Sequence, residues 1–157
     1  MPMVAAGNDL CKRLQKNFRF FSTLREEEVE DFMEFCDYRK KPAGTMIWRE
    51  GDEDNSAAFI VSGRLGIKKK TEFEGKHVIV GTYGQGSVVG ELCLLTDNAR
   101  SVSAEIIEPA EIVILSNRNF EKLLSKHPML GLKLLKHIFL TTSARLRRTY
   151  DRIASIF

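Results

Sequence analysis

Gly90-Glu91-Leu92 sets a carboxylate directly after a glycine, and Arg100 follows nine residues beyond the acid. Between them, residues 92–95 are apolar enough to close one helical turn, and Thr96-Asp97-Asn98 breaks it. A glycine at such a turn lets a ligand come close to the backbone. One turn of helix points N–H groups at an anion. Arg100 offers a planar fork of donors suited to phosphate oxygens. An ionised Glu91 only accepts hydrogen bonds, which suits a sugar hydroxyl that must donate. Taken singly, each residue has a plainer reading. Glu91 would complement a helix dipole, and Arg100, beside an alternating strand, would point into water. Together they fit a nucleotide carrying one compact charge.

The elements around this stretch fall into three regions. Up to about residue 36 the chain reads as helical, with N-terminal helices over about residues 8–36. "LREEEVEDFMEFC" brings Leu24, Val29, Phe32, Met33 and Cys36 to one face, with Glu26, Glu27 and Glu28 in the first turn. Phe18, Phe20 and Phe21 would tether these helices to a core. Residues 38–116 change to short β-rich runs punctuated by glycine. "AAFIV" and "RLGIKKK" flank Ser62-Gly63, which predicts a tight hairpin. "SVSAEII" and "EIVIL" flank Glu108-Pro109-Ala110, which predicts a turn, because proline cannot donate to a sheet ladder. From residue 117 the pattern is helical again, with Asn117 as the expected N-cap. Leu132, Leu135, Phe139, Thr142, Leu146, Thr149 and Ile153 then step by three and four, a stripe that suits a coiled-coil partner or the barrel's flank. The expected fold class is α+β, a single domain over residues 1–157. It is a small antiparallel β-barrel or jelly roll flanked by N-terminal helices and two C-terminal helices.

Composition removes several alternatives. A hydrophobic fraction of 43% and a charged fraction of 29% are those of a globular domain, and a net charge of +3 does not argue for nucleic acid. Cys11, Cys36 and Cys93 are odd in number and unpaired in spacing, which speaks for a reducing cytoplasm over a disulfide framework. No apolar run approaches the roughly 20 residues of a membrane span, and the start lacks a secretory signal. His77, His127 and His137 are too scattered to build a metal site with neighbouring carboxylates. Gly84-Gln85-Gly86 lacks the lysine–serine pair of a phosphate loop, and no nucleophile elbow is present. The expectation is a cytoplasmic binder that is not an enzyme, with no cofactor, metal or membrane partner.

With these residues in hand, the chain resembles the cyclic nucleotide-binding domain family. Gly90-Glu91-Leu92 and Arg100-Ser101-Val102-Ser103 resemble that family's phosphate-binding cassette, here residues 90–103. Gly44, Gly51-Asp52, Ser62-Gly63 and Gly86 resemble its glycine framework, and Val102 is bulkier than the alanine usual there. The resemblance implies that Glu91 bonds the ribose 2′-hydroxyl and that Arg100 pairs with the cyclic phosphate. It further implies that the backbones of Gly90, Leu92 and Ser101 complete the cradle and that Val80 walls the base. In the family the last helix lids the base and forms a dimer seam, which nominates Thr149 and Tyr150 for contacts to the purine. The ligand expected is cAMP, with cGMP second, since a Ser101 hydroxyl can in principle reach a guanine amino group. A cyclic-nucleotide sensor signalling to a partner protein through the C-terminal helix follows, with a homodimer through that helix in view. The competing reading is a nucleic-acid-binding regulator, or a fragment of a transcription factor, kinase or channel. It rests on Lys133, Lys136, Arg145, Arg147, Arg148 and Arg152, but a solvated basic face explains these charges better than a groove-reading element.

Overall fold

The computed structural model describes residues 3–157, with side chains from residue 7. Helices α1 (Met3–Asn17), α2 (Arg19–Ser22) and α3 (Glu26–Met33) come first. Antiparallel strands β1 (Asp37–Lys41), β2 (Met46–Trp48), β3 (Ser56–Lys70), β4 (His77–Gly84), β5 (Val88–Val89) and β6 (Ser103–Ser116) follow. Helices α4 (Asn117–Lys126) and α5 (Pro128–Ala154) come last. The strands form one sheet in the order β1-β6-β3-β4, with β2 also on β6 and β5 also on β3. This is the expected α+β arrangement, an antiparallel roll with helices at its flank. The roll stays open, because β1 and β4 end the hydrogen-bonded path.

Ser56–Val61 of β3 is buried on both faces, as is much of β6 from Ala110 onward, and their period of two sorts side chains into two cores. Ala57, Phe59 and Val61 of β3 and Val113 and Leu115 of β6 face the helices. Ala58, Ile60, Ile106 and Ile112 face the inside of the roll, with Trp48 and Val89. Each fully buried side chain of this size contributes roughly 1.5–3 kcal/mol. Phe18, Phe20 and Phe21 are all buried, as expected for a tether. Their rings meet Phe32 and Phe59 at edge-on or tilted angles, for example Phe21 to Phe32 at 5.2 Å between centroids.

Three local expectations are overturned. Ser62-Gly63 is no hairpin, and Glu108-Pro109-Ala110 is no turn, because β3 and β6 each run straight through. The two punctuation points face each other across the ladder. Ser62 pairs with Glu111 and Arg64 with Glu108, so β6 spends one more residue than β3 and bulges at Pro109. A bulge excuses a proline from donating. Gly63 at φ +84° passes so close that a Cβ there would meet the Pro109 carbonyl oxygen at 2.3 Å. The third concerns α4. Its N-cap is Ser116, whose Oγ accepts from the Asn119 N–H. Asn117 instead donates its side-chain amide to the Leu94 carbonyl at 2.7 Å, fastening α4 to the cassette.

α5 is held to the body mainly through its first half. Leu130, Gly131, Leu134 and Ile138 are its buried residues, and Lys133 bonds Glu28 of α3 at 2.9 Å. Of the expected stripe, Leu132, Phe139, Leu146 and Ile153 lie 42%, 71%, 50% and 51% exposed, whereas Leu135 packs against the core.

Candidate functional site

Gly90 sits in the left-handed region at φ +73° and opens a single 3-10 turn, Glu91–Leu94. The positive φ and the crowding there both require glycine. A Cβ would meet Arg100 Nη1 at 2.6 Å, the Ser56 carbonyl oxygen at 2.9 Å and Trp48 Cη2 at 2.9 Å. Arg100 is reached across an irregular loop, yet its backbone is pinned at both ends. Its N–H donates to the Asp52 carbonyl and its carbonyl accepts from the Gly51 N–H, each at 2.8 Å. The Gly51-Asp52 turn therefore holds the arginine in place.

The Arg100 side chain is 2% exposed. Nη2 donates to Ser56 Oγ at 2.9 Å, and the guanidinium carbon lies 3.7 Å from the centre of the Trp48 ring. The nearest carboxylate, Asp54, is 3.9 Å away and itself mostly exposed. Among the described residues, the buried Nε and Nη1 have no hydrogen-bond partner. Burial pulls the guanidinium's pKa below its ordinary value, against the pull of Cys93, Asp54 and Asp52. A charge left this bare costs several kcal/mol, and buried donors without acceptors call for an explanation.

The adjoining cavity, about 190 Å³, is lined by Gly90, Glu91, Leu92, Cys93, Arg100 and Ser101 at the cassette. Trp48, Ile67, Tyr83, Val89, Val102 and Arg145 complete it. Glu91 is only 9% exposed. Its carboxylate accepts from Arg145 Nη1 of α5 at 2.6 Å. The same guanidinium donates through Nη2 to the Val88 carbonyl at 2.7 Å and stacks 4.9 Å from the Tyr83 ring centre. One arginine of the last helix thus closes over the acid end of the cavity.

Of the residues expected from sequence, Gly90, Glu91, Leu92, Arg100 and Ser101 converge here, Leu92 and Ser101 with exposed side chains. Val80, Thr149 and Tyr150 do not line the cavity. Val80 is 58% exposed on β4 and Tyr150 60% exposed on α5, while the Thr149 hydroxyl bonds back to the Arg145 carbonyl at 3.2 Å. Sequence reasoning missed Trp48, Ser56 and Tyr83, and counted Arg145 only among solvated charges. A signal for Arg145 was present, because it lies four residues before Thr149 and so on the same helix face. Among the described residues, no group of three or more side chains could hold a metal ion. No helix there is long and apolar enough to cross a membrane.

Residues 38–127 match the family described as the cyclic nucleotide-binding domain. That span is more than half of the chain, and the chain belongs to this family. Lysophospholipase NTE1 of Phaeosphaeria nodorum is 35% identical over 109 residues, which are 69% of this chain and 7% of that protein. The chain therefore spans a small part of the length of such relatives. A cyclic nucleotide-binding domain from Methylobacillus flagellatus has the same fold. It is 24% identical with a TM-score of 0.80, covering 94% of this chain and 82% of that one. The catabolite activator protein of Thermus thermophilus is 25% identical with a TM-score of 0.70, covering 87% of this chain and 62% of that one.

Proposed function

We propose that this domain is a cyclic-nucleotide sensor, that its ligand is cAMP, and that occupancy is passed to a partner protein through α5. The observation that carries the reading is Arg100, buried at the cavity wall with Nε and Nη1 unpartnered. In this reading a cyclic phosphate accepts from those two donors, with the Gly90, Leu92 and Ser101 backbones around it. The ribose 2′-hydroxyl donates to Glu91, and the base lies toward Tyr83.

Glu91 already holds Arg145, so a sugar hydroxyl arriving there must share or displace a residue of α5. Nucleotide then acts by binding one pose of that helix better than another, a population shift limited by the difference in affinity. The exposed stripe of α5 suits a second copy of the same helix, and sedimentation at micromolar concentration reads that association. Lys133 and Arg145 are engaged by Glu28 and Glu91, which weakens the nucleic-acid alternative. The lipase activity in the name of the fungal relative belongs to that much longer protein. A regulatory piece of a larger chain, in a cytoplasmic setting, accommodates the match.

Calorimetric titration with cAMP, cGMP and 2′-deoxy-cAMP tests the reading. cAMP should bind tightest, and loss of the 2′-hydroxyl should weaken it by about tenfold, since Glu91 loses a charge-assisted bond. Arg100→Leu should weaken cAMP by about 30-fold or more while the domain stays folded. Binding by Arg100→Leu within a few-fold of wild type would sink the cassette reading.

A further inference from the structure

Trp48 is the protein's one tryptophan, and it is 3% exposed at the end of β2. Its placement depends on an irregularity. Met46 pairs with Glu105 and Trp48 with Ala104, so two steps on β2 meet one on β6. Bulges of this kind re-aim a side chain. Here the indole enters the inner core beside Ala58 and Val89 and comes to lie against the Arg100 guanidinium, 3.7 Å from ring centre to carbon. Gly90 presses on the same spot, because a Cβ there would touch both Arg100 Nη1 and Trp48 Cη2.

Arg100 keeps just one hydrogen bond from its side chain among the described residues, to Ser56 through Nη2. One bond leaves the plane of a guanidinium free to swing about it. The flat face of an indole removes that freedom, since a cation and a π-face attract most strongly when both are out of water. We propose that Trp48 is a positioning residue for the anion site. Its ring holds the Arg100 guanidinium flat against the cavity wall, with Nε and Nη1 turned toward the ligand's phosphate, and keeps water off the other face. The inference deepens the nucleotide reading and rests on it for the identity of the anion. Orientation fixed before binding raises affinity by lowering the ordering cost.

The test uses Trp48→Phe and Trp48→Leu in the full chain, with two readouts. In the ligand-free protein, the Arg100 Nε–H signal is assigned as the one lost in Arg100→Leu. It should lie upfield of the other arginines because of the indole ring current. Trp48→Leu should return it to the ordinary range, and Trp48→Phe should leave it part-way. In calorimetry, Trp48→Leu should bind cAMP about tenfold more weakly and Trp48→Phe about threefold. If Trp48→Leu does not fold, Trp48→Phe carries both readouts with the same signs. An unshifted wild-type signal, or cAMP affinity unchanged in the variants, overturns the proposal. If wild type binds neither cAMP nor cGMP, the sensor reading fails, and the ligand-free signal still decides whether Trp48 holds Arg100.

Discussion

Replacing Arg145 with alanine should loosen the second half of α5 and leave the first half in place. Beyond Ile138 the helix has no buried residue. Among the described residues beyond Ile138, the side-chain hydrogen bonds from this helix to the rest of the domain are both Arg145's, to Glu91 and to Val88. The pair with Glu91 has side-chain exposures of 27% and 11%, so solvent screens it only in part. A bond between charged groups in such a place contributes about 1.5–3 kcal/mol, and one to a carbonyl about 1 kcal/mol. Stacking on Tyr83 adds about 0.5–1 kcal/mol. Ordering a long arginine takes back up to about 2 kcal/mol. The balance is about 2 kcal/mol, or roughly a 30-fold change in the local opening equilibrium. Hydrogen–deuterium exchange on peptides covering residues 141–154, at low protein concentration, should therefore speed up by about that factor in Arg145→Ala. Peptides around Leu130, Leu134 and Ile138 should exchange as in wild type. Unchanged protection across residues 141–154 would show that Arg145 does not fasten the helix.

Gly90→Ala should cost about 1–3 kcal/mol for its positive φ alone, and the new Cβ should push Arg100 and Trp48 aside. A lower urea midpoint together with lost cAMP binding is the expected pair of results, and a wild-type midpoint with full affinity would contradict it. Glu111 accepts a two-pronged pair of bonds from Arg13, both at 2.9 Å, with further bonds from Tyr38 and Ser62. The Arg13 bonds above all hold its carboxyl at about 2, against an ordinary value of 4.5. A carboxyl lowered on folding stabilises fully above about pH 4.5, and that contribution is lost as pH falls toward 2. Glu111→Gln should thus be less stable at pH 7 by about 1–2 kcal/mol, after allowance for solvent at Arg13. The gap to wild type should narrow as pH drops from 4.5 to 2 in thermal melts. A gap that stays constant with pH would exclude the ion pair as its source.

The candidate site's cassette residues were legible because they are local in sequence. Gly90, Glu91 and Arg100 lie within a few residues of one turn, and glycine, acid and arginine each have narrow chemical uses there. The cores were legible for a similar reason, since periods of two and of three to four report which side of an element is apolar. Where long strands cross, local signals misled. Gly63 and Pro109 each read as a chain reversal, yet they lie opposite one another on two continuous strands, and one bulge satisfies both. Whether Arg100 points into water or into a cavity was also beyond local pattern. The Gly51-Asp52 loop and Ser56, the latter 44 residues earlier, decide that by holding its backbone and its guanidinium. Helical periodicity places Arg145 on a face but says nothing of what that face meets. Only the packing of α5 on the roll turns a charge that reads as solvated into the partner of Glu91. Trp48 is the sharpest case, for its aim toward Arg100 follows from a one-residue register shift between β2 and β6. Pairing register arises between distant segments of chain, and no short stretch of residues encodes it alone.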